Sequence, residues 1–115
     1  MEMHQIRYFL AVCEELNFTR AAQRCGVSQP SLTNAIKALE RQLGGPVFRR
    51  KPRIALSQLG LAMRPYLEHI VEQAEGARAV ARMLVPNAAT AQAAATVQAE
   101  LRAGRHQAMS EYKTG

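Results

Sequence analysis

At 115 residues, 48% of them hydrophobic, the chain holds one small domain plus an appendage and is too apolar for wholesale disorder. Aromatics make up only 5% and Trp is absent, so the core must be aliphatic. The net charge of +6 is uneven: residues 1–56 carry nine Lys/Arg against four Glu, and residues 57–115 six basic against five acidic side chains.

In chain order, the first predicted helix covers residues 4–16. Ile6, Phe9, Leu10 and Cys13 recur on one face, with Gln5, Arg7, Glu14 and Glu15 on the others. Asn17 and Phe18 break it, and Thr19 is the expected N-cap of a short second helix over residues 20–25. Ala21 and Ala22 are small enough to let another helix approach. Gly26 ends that helix, Val27 is expected as a buried plug, and Ser28 caps a third helix over residues 28–43. Pro30 falls in its first turn, where a missing N–H costs nothing. Leu32, Ile36, Leu39 and Leu43 form its inner stripe, and Gly44 with Gly45 stops it.

Residues 47–56 differ in kind. Two short apolar stretches flank a basic tip of Arg49, Arg50, Lys51 and Arg53 around Pro52, which reads as a small β-hairpin or wing. Such a charge block marks a polyanion-binding surface or a solvated loop, and charge alone does not separate the two. From residue 58 a helical pattern runs to about residue 85. Leu59, Met63, Tyr66, Ile70, Ala74 and Ala77 advance by threes and fours, Leu67 and Val71 widen the stripe, and Pro65 is expected to kink the helix. Such a stripe packs against the same helix of a second chain, or folds back on its own domain. Residues 86–115 are Ala-rich and then polar, and are expected to form a weak helix or a frayed tail.

The fold class expected is therefore mainly α: a winged helix-turn-helix over residues 1–57, a linker helix over 58–85 and a tail. On the outer face of the third helix stand Gln29, Pro30, Thr33, Asn34 and Lys37, the positions that would enter a major groove. Gln and Asn side chains can pair with adenine, and Pro or a Thr methyl can pack on a thymine methyl. Ser28, Ser31 and Arg20, with the helix N-termini, are placed to meet phosphates. Arg50 and Arg53 on the wing, residues 49–53, can reach a narrow minor groove. Helical triplets of this spacing also occur in proteins that bind no DNA.

The blocks Gln5 to Val12, Phe18 to Ala22, Val27 to Thr33, Ile36 to Glu40, Leu43 with Gly44, and Val47 with Phe48 resemble the N-terminal domain of LysR-type transcriptional regulators. The resemblance covers roughly residues 3–84. It implies a winged helix-turn-helix dimerised through antiparallel linker helices, with Leu59, Met63, Tyr66, Ile70, Ala74 and Ala77 on the dimer stripe. By position, Gln29, Pro30, Thr33 and Asn34 match base-facing residues, Ser31 and Thr19 match phosphate contacts, and Arg53 matches the residue that enters the minor groove. Position 34 is often Arg in the family; Asn34 here is expected to shift base preference away from guanine. The family's effector-binding α/β domain has no counterpart after Leu84, so no small-molecule effector is expected to act through this chain.

The function expected is a sequence-specific, double-stranded-DNA-binding transcription regulator acting as a homodimer. The alternative is an interaction protein that heterodimerises through its linker helix with full-length regulators. An enzyme fits poorly: His4, His69 and His106 are scattered, Asp is absent, and no phosphate-binding glycine loop or nucleophile–base arrangement is present. Cys13 and Cys25 form no C-x-x-C pair and fall on apolar helix faces, so both read as core residues, with no metal and no cofactor expected. No apolar run approaches the ~18 residues of a membrane span and no signal peptide is recognisable, which makes the cytoplasm the default location.

Overall fold

A computed structural model describes residues 1–85, and the expected tail structure over 86–115 lies outside the described residues. The element order is α1 (Met3–Glu15), α2 (Phe18–Cys25), α3 (Gln29–Leu43), β1 (Phe48–Arg49), β2 (Ala55–Leu56) and α4 (Gln58–Leu84). Met1–Ala74 forms one compact unit; the second begins at Glu75, and its described part is the helix to Leu84 with Val85 following. The mainly helical architecture with a small hairpin wing is as the sequence implies.

α1 starts with a capping box. The Glu2 side chain accepts from the backbone of Gln5, whose own side chain accepts from the Glu2 N–H at 3.0 Å, so two orphan donors are satisfied reciprocally. The helix closes at Leu16 in the left-handed conformation, with φ 49°. α2 departs from expectation at its start. Its N-cap is Asn17, not Thr19: the Asn17 carboxamide oxygen accepts from the Arg20 N–H at 2.8 Å. Capping from Asn17 draws Phe18 into the first helical position, where its ring is buried, and leaves the Thr19 hydroxyl to another partner.

The turn into α3 needs its glycine. Gly26 takes φ 69°, and the Val27 N–H returns to the Ala22 carbonyl at 3.0 Å, closing the end of α2. Val27 is half-buried rather than the fully buried plug expected, because it sits at the edge of the core and not within it. Ser28 caps α3 by accepting from the Ser31 N–H at 3.2 Å, and Gly44 ends it at φ 90°. Ala21 and Ala22 are buried where α1, α2 and α3 meet, so no long side chain separates the three helices.

The wing pairs only Phe48 with Leu56 and Arg49 with Ala55, too short a ladder to hold itself. Its base is anchored instead. Val47 and Phe48 are buried, and the Phe48 ring lies 5.4 Å from that of Phe9 and 5.8 Å, edge-on, from that of Phe18. The Glu40 carboxylate on α3 accepts from the Val47 N–H at 2.8 Å. At the far strand, Ser57 donates from its N–H to the Val47 carbonyl and from Oγ to the Pro46 carbonyl at 2.6 Å, while accepting from the Gly60 N–H at 3.0 Å.

α4 is helical across Pro65. The stripe read from the sequence is divided by the structure. Leu67 is fully in the core, and Leu59, Met63 and Val71 lean against it. Tyr66 and Ile70 stay on the outside at 68% and 37% exposure, with Leu61 also exposed. One face of α4 thus folds back on its own domain, and Leu59 and Met63, read as part of a dimer stripe, are partly buried against that core. Position 67 follows 63 by one turn, so a core-facing and an outer apolar row run side by side. In the second unit Ala77, Val80, Met83 and Leu84 are exposed.

Candidate nucleic-acid interface

α3 carries two opposed faces. Leu32, Ala35, Ile36 and Leu39 are buried, whereas Gln29, Pro30, Ser31, Asn34 and Lys37 are exposed and Thr33 is half-buried. No other described segment covers this polar strip, and Thr19 and Arg20 on the first turn of α2 are exposed as well. The polar strip begins at the N-terminus of α3, where the helix dipole adds positive potential.

Local hydrogen bonds sort the expected contacts into working parts. Ser28 is engaged in capping: besides accepting from Ser31 N–H, its Oγ donates to the Ser31 Oγ at 2.9 Å. That arrangement leaves the Ser31 hydroxyl proton to donate outward, as a phosphate contact requires. Ser28, expected among the DNA contacts, is bonded through its hydroxyl to Ser31. Thr19 Oγ1 donates to Gln29 Oε1 at 3.0 Å, linking the first turns of α2 and α3.

Arg50 is placed differently from the expectation of a freely projecting wing residue. Its guanidinium lies 4.5 Å from the centroid of the Phe18 ring, a cation–π contact that folds it back from the wing tip towards α2. There it borders a groove between α3 and the wing, shared with Thr33, Lys37, Glu40 and Pro46 over the buried Phe18, Ile36 and Phe48. Two cations and a hydroxyl suit a backbone phosphate, with the Glu40 carboxylate engaged by the Val47 N–H. Arg53, with Lys51 and Pro52, stays exposed at the wing tip, beyond the paired strands.

Two other arginines are held in ion pairs. Arg24 pairs with Glu14, which ties α2 to α1, and Arg64 pairs with Glu68 one turn along α4 at 2.8 Å. Lys37 and Arg50 border the groove beside the polar strip, Arg20 is exposed on the first turn of α2, and Lys51 and Arg53 are exposed at the wing tip. Among the described residues no three His, Cys or Glu groups gather as a metal site, and no helix is long and apolar enough to cross a membrane.

Sequence reasoning missed the Asn17 cap, the Thr19–Gln29 link and the seat of Arg50 on Phe18. Asn17 was legible in principle, as a cap-forming residue just before a helix. The other two join positions brought together only by the fold.

Comparison with known proteins agrees with this geometry. Residues 3–61 match the family described as bacterial regulatory helix-turn-helix protein, lysR family. The HTH-type transcriptional regulator IlvR of Caulobacter vibrioides is 47% identical over 73 residues, which cover 63% of this chain and 24% of that protein. The Hca operon transcriptional activator HcaR of Escherichia coli is 44% identical over 86 residues, 74% of this chain and 29% of that protein. The chain therefore matches less than a third of the length of these two relatives. Among solved structures, the DNA-binding domain of CbnR in complex with DNA superposes with a TM-score of 0.67 at 38% identity, over 73% of this chain and 98% of that one. Full-length OxyR of Pseudomonas aeruginosa gives a TM-score of 0.69 at 37% identity, over 72% of this chain and 28% of that one.

Proposed function

Since the chain belongs to the lysR family of bacterial regulatory helix-turn-helix proteins, we propose that it is a sequence-specific double-stranded-DNA-binding regulator of transcription and not an enzyme. It acts as a homodimer through α4, in the cytoplasm, with residues 28–43 in the major groove and residues 49–53 at the minor groove. Gln29, Pro30, Thr33 and Asn34 face bases. Arg20, Ser31, Lys37 and Arg50 meet the backbone, and Arg53 enters the minor groove. The observation that carries this reading is the uncovered polar face of α3 over a fully buried apolar back. A helix built that way presents side chains to a groove without disturbing its own core. The match to a domain solved in complex with DNA supports the same reading.

The test is binding of the purified chain to a duplex enriched from a random pool, followed at rising salt. Affinity on the order of 10⁻⁸ M is expected, falling with a log–log slope of about −0.9 per phosphate neutralised. Absence of binding at low ionic strength, or binding indifferent to salt, overturns the proposal.

A further inference from the structure

The first turns of α2 and α3 are both capped, by Asn17 and Ser28, so Thr19 and Gln29 stand on backbone that is fixed at each end of their contact. Ala21 is fully buried between the helices and Gly26 sets the turn, which holds the two helices at a constant separation. Thr19 is β-branched and restricted at χ1, and its Oγ1 donates to Gln29 Oε1 at 3.0 Å. Both side chains lie on the exposed polar strip.

A carboxamide offers an oxygen that accepts and an amino group that donates. Drawing Oε1 towards α2 turns the Nε2 amino group away from it. An adenine edge needs both halves of a glutamine, one to accept from N6 and one to donate to N7, whereas a guanine edge shows two acceptors, N7 and O6. An outward amino group meets guanine's acceptors and is opposed by adenine's N6 amino group. We propose that Thr19 is a positioning residue which, by engaging one lone pair of Gln29 Oε1 and holding that oxygen towards α2, turns the Nε2 amino group to the groove so that Gln29 selects guanine over adenine. This rests on the DNA-binding reading above, and it replaces the adenine pairing that residue type alone suggests for Gln29. It also gives Thr19 a role distinct from a phosphate contact, because a phosphate contact is blind to base identity.

The test selects duplexes from a random pool with the full chain as wild type, Thr19→Val, Thr19→Ser and Gln29→Ala. The base pair read by Gln29 is the one at which Gln29→Ala loses preference. Wild type is expected to favour guanine over adenine there by about tenfold, the scale of one well-placed polar contact. Thr19→Val keeps the shape without the hydroxyl and should bring the two bases within about twofold at that position, with other positions and the melting temperature unchanged. Thr19→Ser should restore the preference. Selection of adenine by wild type, an even loss of affinity across all sequences in Thr19→Val, an unaltered guanine preference in Thr19→Val, or a Gln29→Ala selection identical to wild type each overturns the proposal while DNA binding stands. A wild-type protein that enriches no sequence overturns the DNA-binding reading and this inference with it.

Discussion

Burial pushes the Cys13 thiol up to about 12 from 9.0, with Arg64 opposing the shift and Glu68 and Glu14 reinforcing it. Burial also raises Cys25, partly offset by Arg24. A raised value keeps a thiol protonated and inert near neutrality. Cys25 is half-buried and Cys13 buried, so iodoacetamide at pH 8 should alkylate Cys25 first and reach Cys13 only after urea unfolds the chain, as mass spectrometry would show. Equal labelling in the native state would contradict the packing of α1. The linkage has a definite sign. Because the folded value exceeds the unfolded one, the contribution of Cys13 is complete below pH 9 and is lost between pH 9 and about 12. The stacking of Arg50 on Phe18 invites a second measurement at this scale. A Phe18→Leu, Arg50→Ala cycle on DNA affinity should show a coupling of about 0.5–1 kcal/mol. Strict additivity would mean that the ring does not seat the guanidinium. These contacts were illegible in the sequence for a plain reason. Helix phase places Gln29 to Lys37 on an outer face as soon as Leu32, Ile36 and Leu39 are seen, but no periodicity relates residue 50 to residue 18.

The helices were the legible elements, since each carries an apolar stripe and a residue that starts or stops it. The wing was legible only as an outline. Its strands are two residues long, and their position depends on Phe48 wedging between Phe9 and Phe18 and on Ser57 tying the base of the wing to α4. Gly60 belongs to that junction. A methyl group there would overlap the Val47 carbonyl oxygen and press on the Leu56 side chain, so α4 can lie this close to the strand only because residue 60 has no side chain. Nothing around Gly60 in the sequence marks it, because its φ is ordinary for a helix and its reason lies across the fold. Gly60→Ala should destabilise the domain by about 1–3 kcal/mol through overpacking, despite the better helix propensity of Ala, as a urea melt would register. An unchanged or raised midpoint would show that the junction has slack. By contrast, Leu39→Asp places an unpaired charge in a fully buried position and should abolish cooperative unfolding.

At the scale of the whole molecule, α4 carries an apolar row that its own domain leaves exposed. Its 27 residues span about 40 Å, and within Met1–Ala74 only one face of it packs on the core. The sequence shows a stripe near a 3.5-residue repeat, but a row that packs on its own core and a row that packs on a second chain draw on the same residue types. Adjacent rows on one helix merge into a single broad stripe when read without coordinates. The structure separates a buried row from an exposed one: Leu67 inwards, Tyr66 and Ile70 outwards. Ile70 is therefore a position where a charge can be added at little cost to the fold but at high cost to an apolar contact between chains. Ile70→Glu should sediment as a monomer with a melt near that of the wild-type domain, whereas Leu67→Glu should unfold. The monomer should still contact half of a palindromic site, and it should lose the gain of about 10²–10⁴ in affinity that two linked recognition helices confer. An Ile70→Glu protein that sediments as wild type would place the dimer contact elsewhere. One that is monomeric yet binds the full site undiminished would show that a single copy reads it, and the homodimer would then have no part in recognition.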